Sequence, residues 1–294
     1  MSSILDFQKK YHQKIDPLDL DLLIAAAIKK PREFVLTHSE YKMNKTQNSK
    51  LKAQILRRIK HEPLAYILGR KEFYGLEFKV NKNTLIPRPE TELIVENVLK
   101  LKPKNTIIID VGTGSGNIII SLAKNFKVKN TFFATDISSK ALDIARQNAK
   151  KHKLDKKIEF LHGNLLRPII QNSLANPKDR LGQAKFKIQN YLIVANLPYL
   201  SSRIYNSAPK DVKNYEPKSA LLSSDNGLAH YKKFFQQINK ISKSYKLKAI
   251  SCFLEFSPEQ KIQLEKAIRT AFPQCSITFF EDLAGKVRIV QIKL

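Results

Sequence analysis

The stretch TIIIDVGTGSGNIIISLAKNF, residues 106–126, runs a β-branched segment into an aspartate, then through glycines at every second position, then into residues with helical spacing. A buried strand that ends near Asp110, turns through Gly112, Gly114 and Gly116 and enters a helix at Asn117 is one half of a β–α crossover. Glycine at these positions permits positive φ and removes the Cβ atoms that would hold a ligand away from the main chain. The spacing G-x-G-x-G is not the dinucleotide fingerprint G-x-G-x-x-G, whose third glycine would fall where this chain has Asn117. The turn predicts a ligand site in an open α/β sheet without naming the ligand.

Outward from this turn, TFFATD (131–136), KIEFLHGN (157–164), YLIVANLPYL (191–200) and KAISCFLEF (248–256) read as further strands, with the helix-spaced SSKALDIARQNAKKH (138–152) between the first two. The ending SITFFEDLAGKVRIVQIKL (276–294) reads as two strands joined by a tight turn at Gly285. This alternation predicts an α/β, Rossmann-like domain over residues 87–294, with a mostly parallel seven-stranded sheet and its ligands beyond the carboxyl ends of the strands. Residues 167–190 are polar and poorly periodic, and are expected to be a surface excursion. Residues 1–70 have helical periodicity in DPLDLDLLIAAAIKK (16–30), which opens on the cap and first-turn pair Asp16-Pro17, and in NSKLKAQILRRIKHEP (48–63). They predict a small helical bundle. Between the two regions, 71–86 contain the period-two segment EFYGLEFKVN (72–81), a β-hairpin linker with Gly75 at its turn, and a helix restarts after Pro87 and Pro89.

Composition narrows the classes. A chain of 294 residues with 43% hydrophobic content can bury a full core. No apolar run approaches the roughly 18 residues of a membrane span, and Asp6, Asp16, Asp19 and Asp21 argue against an acid-poor transit peptide. Two cysteines and six scattered histidines have no metal-ligand spacing, so neither a structural metal nor a disulfide framework is expected, and a reduced cytoplasm is. The net charge of +26 would attract polyanions at low salt and suits proximity to the ribosome or RNA. The lysines are spread along the whole chain, which equally fits lysine on every solvated face.

Two further features carry chemistry. Asp136 ends the second strand, where a carboxylate can accept hydrogen bonds from both ribose hydroxyls of an adenosine-containing ligand; it can also cap the helix that follows. With the glycine turn it fits S-adenosylmethionine better than a dinucleotide, since there is no pyrophosphate to lay on a helix N-terminus. Asn164 and Leu165 end the third strand where an adenine could be edged and covered. The fourth strand ends on Asn196, Leu197, Pro198 and Tyr199. Pro198 lacks an N–H and biases Leu197 towards an extended backbone, so the carbonyls after Asn196 project as free acceptors. One hydrogen of a planar NH2 group can go to the Asn196 oxygen and one to a carbonyl at Leu197 or Pro198, with the Tyr199 ring on its π face. Methyl transfer to a nitrogen so held depends mostly on alignment.

The ordered motifs DVGTGSG, TDIS..AL..A..NA and N-x-P-Y resemble class I S-adenosylmethionine-dependent amino-group methyltransferases. The tetrad Asn-Leu-Pro-Tyr is the form common in rRNA adenine methyltransferases. The flanks differ: EPLAYILGRKEFYGLEFKVNKNTLIPRPETELIVE (62–96), YEPKSALLSSDNGLAHYKKF (215–234) and EDLAGKVRIV (281–290) closely resemble the HemK/PrmC family, which methylates the glutamine of the Gly-Gly-Gln loop in peptide chain release factors. That resemblance implies a class I methyltransferase fold, a cofactor site at Gly112, Thr113, Gly114, Ser115, Gly116, Asp136, Leu165 and Asn196, and a substrate site at Asn196, Leu197, Pro198 and Tyr199. Asn196, Pro198 and Tyr199 are then the catalytic set, no metal takes part, and the helical bundle resembles the family's docking platform for the release factor. Methylation of a ribosomal-protein glutamine or of an rRNA adenine are the alternatives. A non-catalytic relic would lose motif residues, and Asp136, Asn196, Pro198 and Tyr199 are all present. The chain departs from the family pattern at Leu197, where a first proline is usual, at Asn164 and Leu165, and at Ser257, where E-x-G-x-x-Q has its glycine.

Overall fold

The computed structural model describes residues 2–175, 190–245 and 249–294. The described chain divides into two compact units, Met1–Arg70 with Pro209–Tyr215, and Lys71–Ala208 with Glu216–Leu294.

The first unit contains helices α1 (Ile4–Tyr11), α2 (Pro17–Ile28), α3 (Arg32–Thr37), α4 (Lys45–Ile59) and α5 (Leu64–Leu68). Their ends are set by local chemistry. Ser3 and Asp6 close a capping box on α1, Asn44 and Gln47 close one on α4, and the Asp16 carboxylate accepts from Leu18 and Asp19 N–H with Pro17 at the first helical position. Leu20, Leu23 and Ile24 of α2 and Leu51 and Ile55 of α4 are buried together, as the spacing of the apolar residues requires. The short helix Lys210–Tyr215 belongs to this unit, where the Tyr215 hydroxyl donates to the Lys60 carbonyl at 2.8 Å. Nothing in the sequence pattern pointed to that excursion from the second unit.

The second unit begins with the hairpin. Strands β1 (Arg70–Phe73) and β2 (Leu76–Lys79) are joined by Tyr74 and Gly75, both at positive φ (51° and 68°), the two-residue turn whose twist matches its strands. After a 3-10 turn at Pro89–Thr91 and helix α6 (Glu92–Lys100) come β3 (Thr106–Val111), α7 (Asn117–Asn125), β4 (Thr131–Asp136), α8 (Ser139–Lys151) and β5 (Ile158–His162). Next are α9 (Arg167–Ala175), β6 (Asn190–Ala195), β7 (Ala249–Glu255), β8 (Ser276–Glu281) and β9 (Val287–Lys293). The seven strands lie in the order β5-β4-β3-β6-β7-β9-β8, with β9 antiparallel to both β7 and β8 and the other pairs parallel. This is the mostly parallel, Rossmann-like sheet expected from the alternation. The excursion is corrected in part: Arg167–Ala175 is a helix, entered through Pro168 and anchored by buried Leu166 and Ile169, while residues 176–189 lie outside the described residues.

Alternate residues of β3 feed two apolar layers. Ile107, Ile109 and Val111 pack with Tyr231, Phe234 and Phe235, whereas Ile108 packs with Ile119, Phe132 and Phe253 on the opposite face. Buried Asn148 of α8 connects the hairpin to the glycine turn. Its Oδ1 accepts from Lys79 N–H at 2.7 Å, and its Nδ2 donates to the carbonyls of Lys79 and Ser115 at 3.0 and 2.8 Å. Asn148→Ala would strand these groups in the interior. The expected loss in folding free energy is about 2–3 kcal/mol, read from urea denaturation, and a loss below about 0.5 kcal/mol would contradict this role.

Candidate active site

Strand register assembles the site. Val111 of β3 lies beside Ala195 of β6, so the residues that follow, Gly112 and Asn196, leave the sheet next to each other at the point where strand order reverses. A Cβ at Gly112 would sit 3.5 Å from Leu197 Cδ2 and 4.0 Å from the Asn196 carbonyl oxygen. A cavity of about 340 Å3 opens here, within the range of small-molecule sites. Gly112, Thr113, Gly114, Ser115, Asp136, Leu165, Asn196, Leu197 and Pro198 all line it. A larger open groove of about 1180 Å3 between the helices Ala229–Tyr245 and Lys261–Ala271 includes none of these residues and no glycine turn, which leaves the smaller cavity as the candidate site.

Two sequence-selected residues are placed elsewhere. Gly116 does not line the cavity: a Cβ there would meet Ile120 at 2.9 Å and Ala145 at 3.3 Å, so its absence lets α7 and α8 approach. Tyr199 is also off the cavity wall, because its hydroxyl turns inward and donates to Glu255 Oε1 at 3.1 Å.

The glycine turn is held from beneath. Gly112 and Thr113 N–H donate to the Thr135 carbonyl at 2.8 and 3.0 Å, and Gly114 N–H donates to Asp136 Oδ2 at 2.9 Å. The other Asp136 oxygen accepts from Ser138 N–H at 2.8 Å, and Ser138 rather than Asp136 is the N-cap of α8. Burial raises the Asp136 carboxyl above its ordinary range, opposed by the N–H groups of Ser138 and Gly114. Each Asp136 oxygen keeps a lone pair for a further donor, which suits a vicinal diol. Gly112 and Gly114 are at φ 74° and 55°, and a Cβ at Gly114 would meet nothing within 4 Å, so backbone conformation is what requires glycine there. Below the turn, Asp110 is fully buried and accepts from the Thr113 hydroxyl at 2.6 Å, while its Oδ1 has no partner among the described residues. Burial pushes this carboxyl up to about 7.

The wall combines the expected Leu165 with residues that carry no motif signal of their own. Ile137, directly after Asp136, is 61% exposed and lines the cavity, an apolar surface beside that carboxylate. Leu165 lies in the left-handed region at φ 52°, a conformation that costs a branched side chain energy and here turns the chain at the cavity wall. Glu216 is buried, accepts from Ile86 N–H at 3.0 Å and pairs with Arg88, tying YEPKS to the IPRP turn that forms another part of the wall. Behind the Asn196 turn, Asn196 Nδ2 donates to Thr91 Oγ1 at 3.1 Å, and Thr91 Oγ1 donates to Glu255 Oε2 at 2.5 Å. Gln260 Nε2 donates to the carbonyls of Tyr199 and Asn226 at 2.9 and 2.8 Å, and a Cβ at Gly227 would come within 2.1 Å of the Tyr199 oxygen. The blocks 62–96 and 215–234 were visible in the sequence as likenesses, and 254–260 as a departure at Ser257; their convergence on one turn was not. Leu197 is 1% exposed, its side chain packed in the core beneath Gly112, so only its backbone is offered to a ligand.

Residues 7–69 match the family model of the PrmC N-terminal domain, and residues 102–262 match a methyltransferase domain. The release factor glutamine methyltransferase of Enterococcus faecalis is 35% identical over 258 residues, covering 86% of this chain and 84% of its own. Those of Dictyoglomus turgidum and Coxiella burnetii are each 35% identical over 279 residues, covering 94% of this chain and 90% and 91% of theirs. Among solved structures, the hMettl16 catalytic domain in complex with a 3′UTR hairpin is 18% identical with a TM-score of 0.53, covering 90% of this chain and 91% of that one, a likeness of fold.

Two outcomes follow for the turn. Asp136→Ala should raise the dissociation constant for the adenosine ligand on the order of 10-fold or more, measured by calorimetry, with turnover at saturation changed less; the reverse pattern would contradict the diol role. Burial pushes the Asp110 carboxyl from 3.8 up to about 7 on folding, so its neutral form favours the folded state and this contribution is lost as pH rises between those values. Urea midpoints at about pH 5 and about pH 8 should therefore differ more for the wild type than for Asp110→Asn, in the direction of lower stability at the higher pH. An equal difference in both proteins would contradict the assignment.

Proposed function

Because the chain belongs to the release factor glutamine methyltransferase family, we infer that it transfers a methyl group from S-adenosylmethionine to the side-chain amide nitrogen of the Gly-Gly-Gln glutamine in a peptide chain release factor. It is an S-adenosylmethionine-dependent protein-glutamine N-methyltransferase. The observation that carries this reading is that the Asn196 turn, with its free backbone acceptors, shares one cavity with the glycine turn and Asp136. The donor supplies an activated methyl on a sulfonium when bound.

The residues fit that donor. Asp136 would take both ribose hydroxyls, Ile137 and Leu165 would cover the adenine, and the main chain of Gly112 and Gly114 admits a ligand that larger residues would exclude. On the substrate side, Asn196 Oδ1 accepts one hydrogen of the glutamine amide, and the carbonyl of Leu197 or Pro198 accepts the other. Pro198 keeps that carbonyl array from folding into a helix. Holding both hydrogens aims the nitrogen, and alignment then supplies most of the rate. No strong general base is needed, because the nitrogen becomes acidic as it is alkylated. The Tyr199 hydroxyl, directed to Glu255, anchors the ring whose face is proposed to pack on the amide. Leu197 in place of a proline leaves these acceptors intact.

The helical unit is proposed to dock the release factor, a role supported by its match to the PrmC N-terminal domain and by the exposed Leu18, Leu36 and Leu56. The net charge of +26 supports work close to the ribosome or RNA. Two free cysteines, with Cys252 buried, support a reduced cytoplasm as its compartment. Among the described residues no helix is long and apolar enough to cross a membrane.

A transfer assay with labelled donor should place label on an intact release factor and none on its Gln→Ala version, on ribosomal protein or on bare rRNA. Label on rRNA alone would overturn the reading in favour of an adenine substrate. Asn196→Ala should lower turnover about 100-fold or more with donor affinity weakened far less; comparable turnover in that variant would remove Asn196 from the chemistry.

A further inference from the structure

Glu255, at the end of β7, is a buried carboxylate (2% exposed) with no place on the cavity wall. Hydroxyls occupy both of its oxygens, Thr91 Oγ1 at 2.5 Å and Tyr199 at 3.1 Å, and its main-chain carbonyl accepts the Tyr231 hydroxyl at 2.5 Å. A hydroxyl has a single hydrogen, and an ionised carboxylate has none. Thr91, having given its hydrogen to Glu255, can only accept from its other neighbour, the Asn196 side chain 3.1 Å away. That amide has one donor end and one acceptor end, so its NH2 must face Thr91 and its oxygen must face away, towards the ligand.

We propose that Glu255 is a positioning residue: as an acceptor-only group it sets the direction of the hydrogen-bond chain through Thr91, so that Asn196 presents its carbonyl oxygen, and not its NH2 group, to the substrate amide. The proposal rests on the reading above that Asn196 accepts a hydrogen from that amide. The opposite orientation would set NH2 against NH2, losing an acceptor and opposing two donors at the atom to be methylated. Thr91 lines the cavity, yet its hydroxyl is spent on a carboxylate off the wall and on Asn196, where an apolar pair of the same shape would fill the space as well.

Protonation of Glu255 would turn it into a donor and release the chain. Burial raises this carboxyl, Thr91 and Tyr199 lower it, Glu90 raises it and Arg288 lowers it; Tyr231 faces the same group. Turnover should therefore fall on the acid side as Glu255 gains its proton.

Three variants test this with purified release factor. Thr91→Val, which keeps shape and removes the hydroxyl, and Glu255→Gln, which introduces a donor, should each lower kcat on the order of 10- to 100-fold. Donor affinity should stay near wild type while the melting temperature falls with the lost buried hydrogen bond, and the acid limb of kcat should vanish in Glu255→Gln. Thr91→Ser, which restores the hydroxyl, should recover most of the turnover. Added to Asn196→Ala, Thr91→Val should cost nothing further, the non-additivity expected of a residue acting only through Asn196. Wild-type kcat in both Thr91→Val and Glu255→Gln beside an inactive Asn196→Ala would overturn the proposal and leave the function standing. Full turnover in Asn196→Ala would overturn both. If Glu255→Gln does not fold, Thr91→Val with its serine control decides the matter alone.

Discussion

The parallel pairing of β3 with β6 is the constraint on which the rest of the site depends. With Val111 beside Ala195, the first residues beyond the two strands are a glycine that admits a ligand to the main chain and an asparagine that can hold an amide. A slip of one residue would turn every side chain of β6 to the other face, exchanging Ile193 and Ala195 for Leu192 and Val194 and moving Asn196 off the crevice. Both faces of these strands are covered by apolar layers, so the penalty for a slip is several buried side chains at about 1.5–3 kcal/mol each. A rigid register of this kind places two halves of a site, distant in the chain, side by side.

Polar groups are then set into that apolar frame with their directions fixed. Asp110, Asp136 and Glu255 are all held above the ordinary carboxylate range, with burial the largest cause in each case. Each faces hydroxyl or N–H donors, so the burial penalty is offset by charge-assisted hydrogen bonds. Asn148 and Glu216 act similarly at the periphery, tying the hairpin to the glycine turn and the IPRP turn to its partner block. Interiors built this way trade stability for a single arrangement of donors and acceptors at the ligand.

Much of this was legible in the sequence, for reasons particular to each element. The period-two runs and the glycine turn identified the strands and the crossover because buried parallel strands leave unbroken β-branched segments such as Ile107 to Ile109. Gly75 at the hairpin and Gly285 at the last turn had the same clarity. Less visible were pairings between segments far apart in the chain. Thr91 and Glu255 look ordinary where they stand, and only folding brings them to Asn196. The partner of the Tyr199 hydroxyl was hidden for the same cause, since an aromatic at a strand end gives no sign that a buried acid will draw its hydroxyl inward. Gly116 counts in the motif but serves helix packing, a difference set by Ile120 and Ala145. The helix Arg167–Ala175 escaped notice because the sequence that follows it is polar and its own apolar residues are few, with Leu166 just before it and Ile169 inside it buried.

The departures from the family pattern are consistent with the same division between side chain and backbone. Leu197 buries its side chain under Gly112, leaving its main chain to the ligand, and Gln260 still reaches the Tyr199 carbonyl although Ser257 stands where glycine is usual. The central claim is that this turn directs a single methyl to an amide nitrogen. It is tested most directly by NMR of a release factor carrying 15N in its glutamine side chains, before and after reaction. The account predicts that one glutamine loses its paired NH2 signals and gains a single N–H coupled to a methyl. Methyl incorporation with every NH2 pair intact would contradict it.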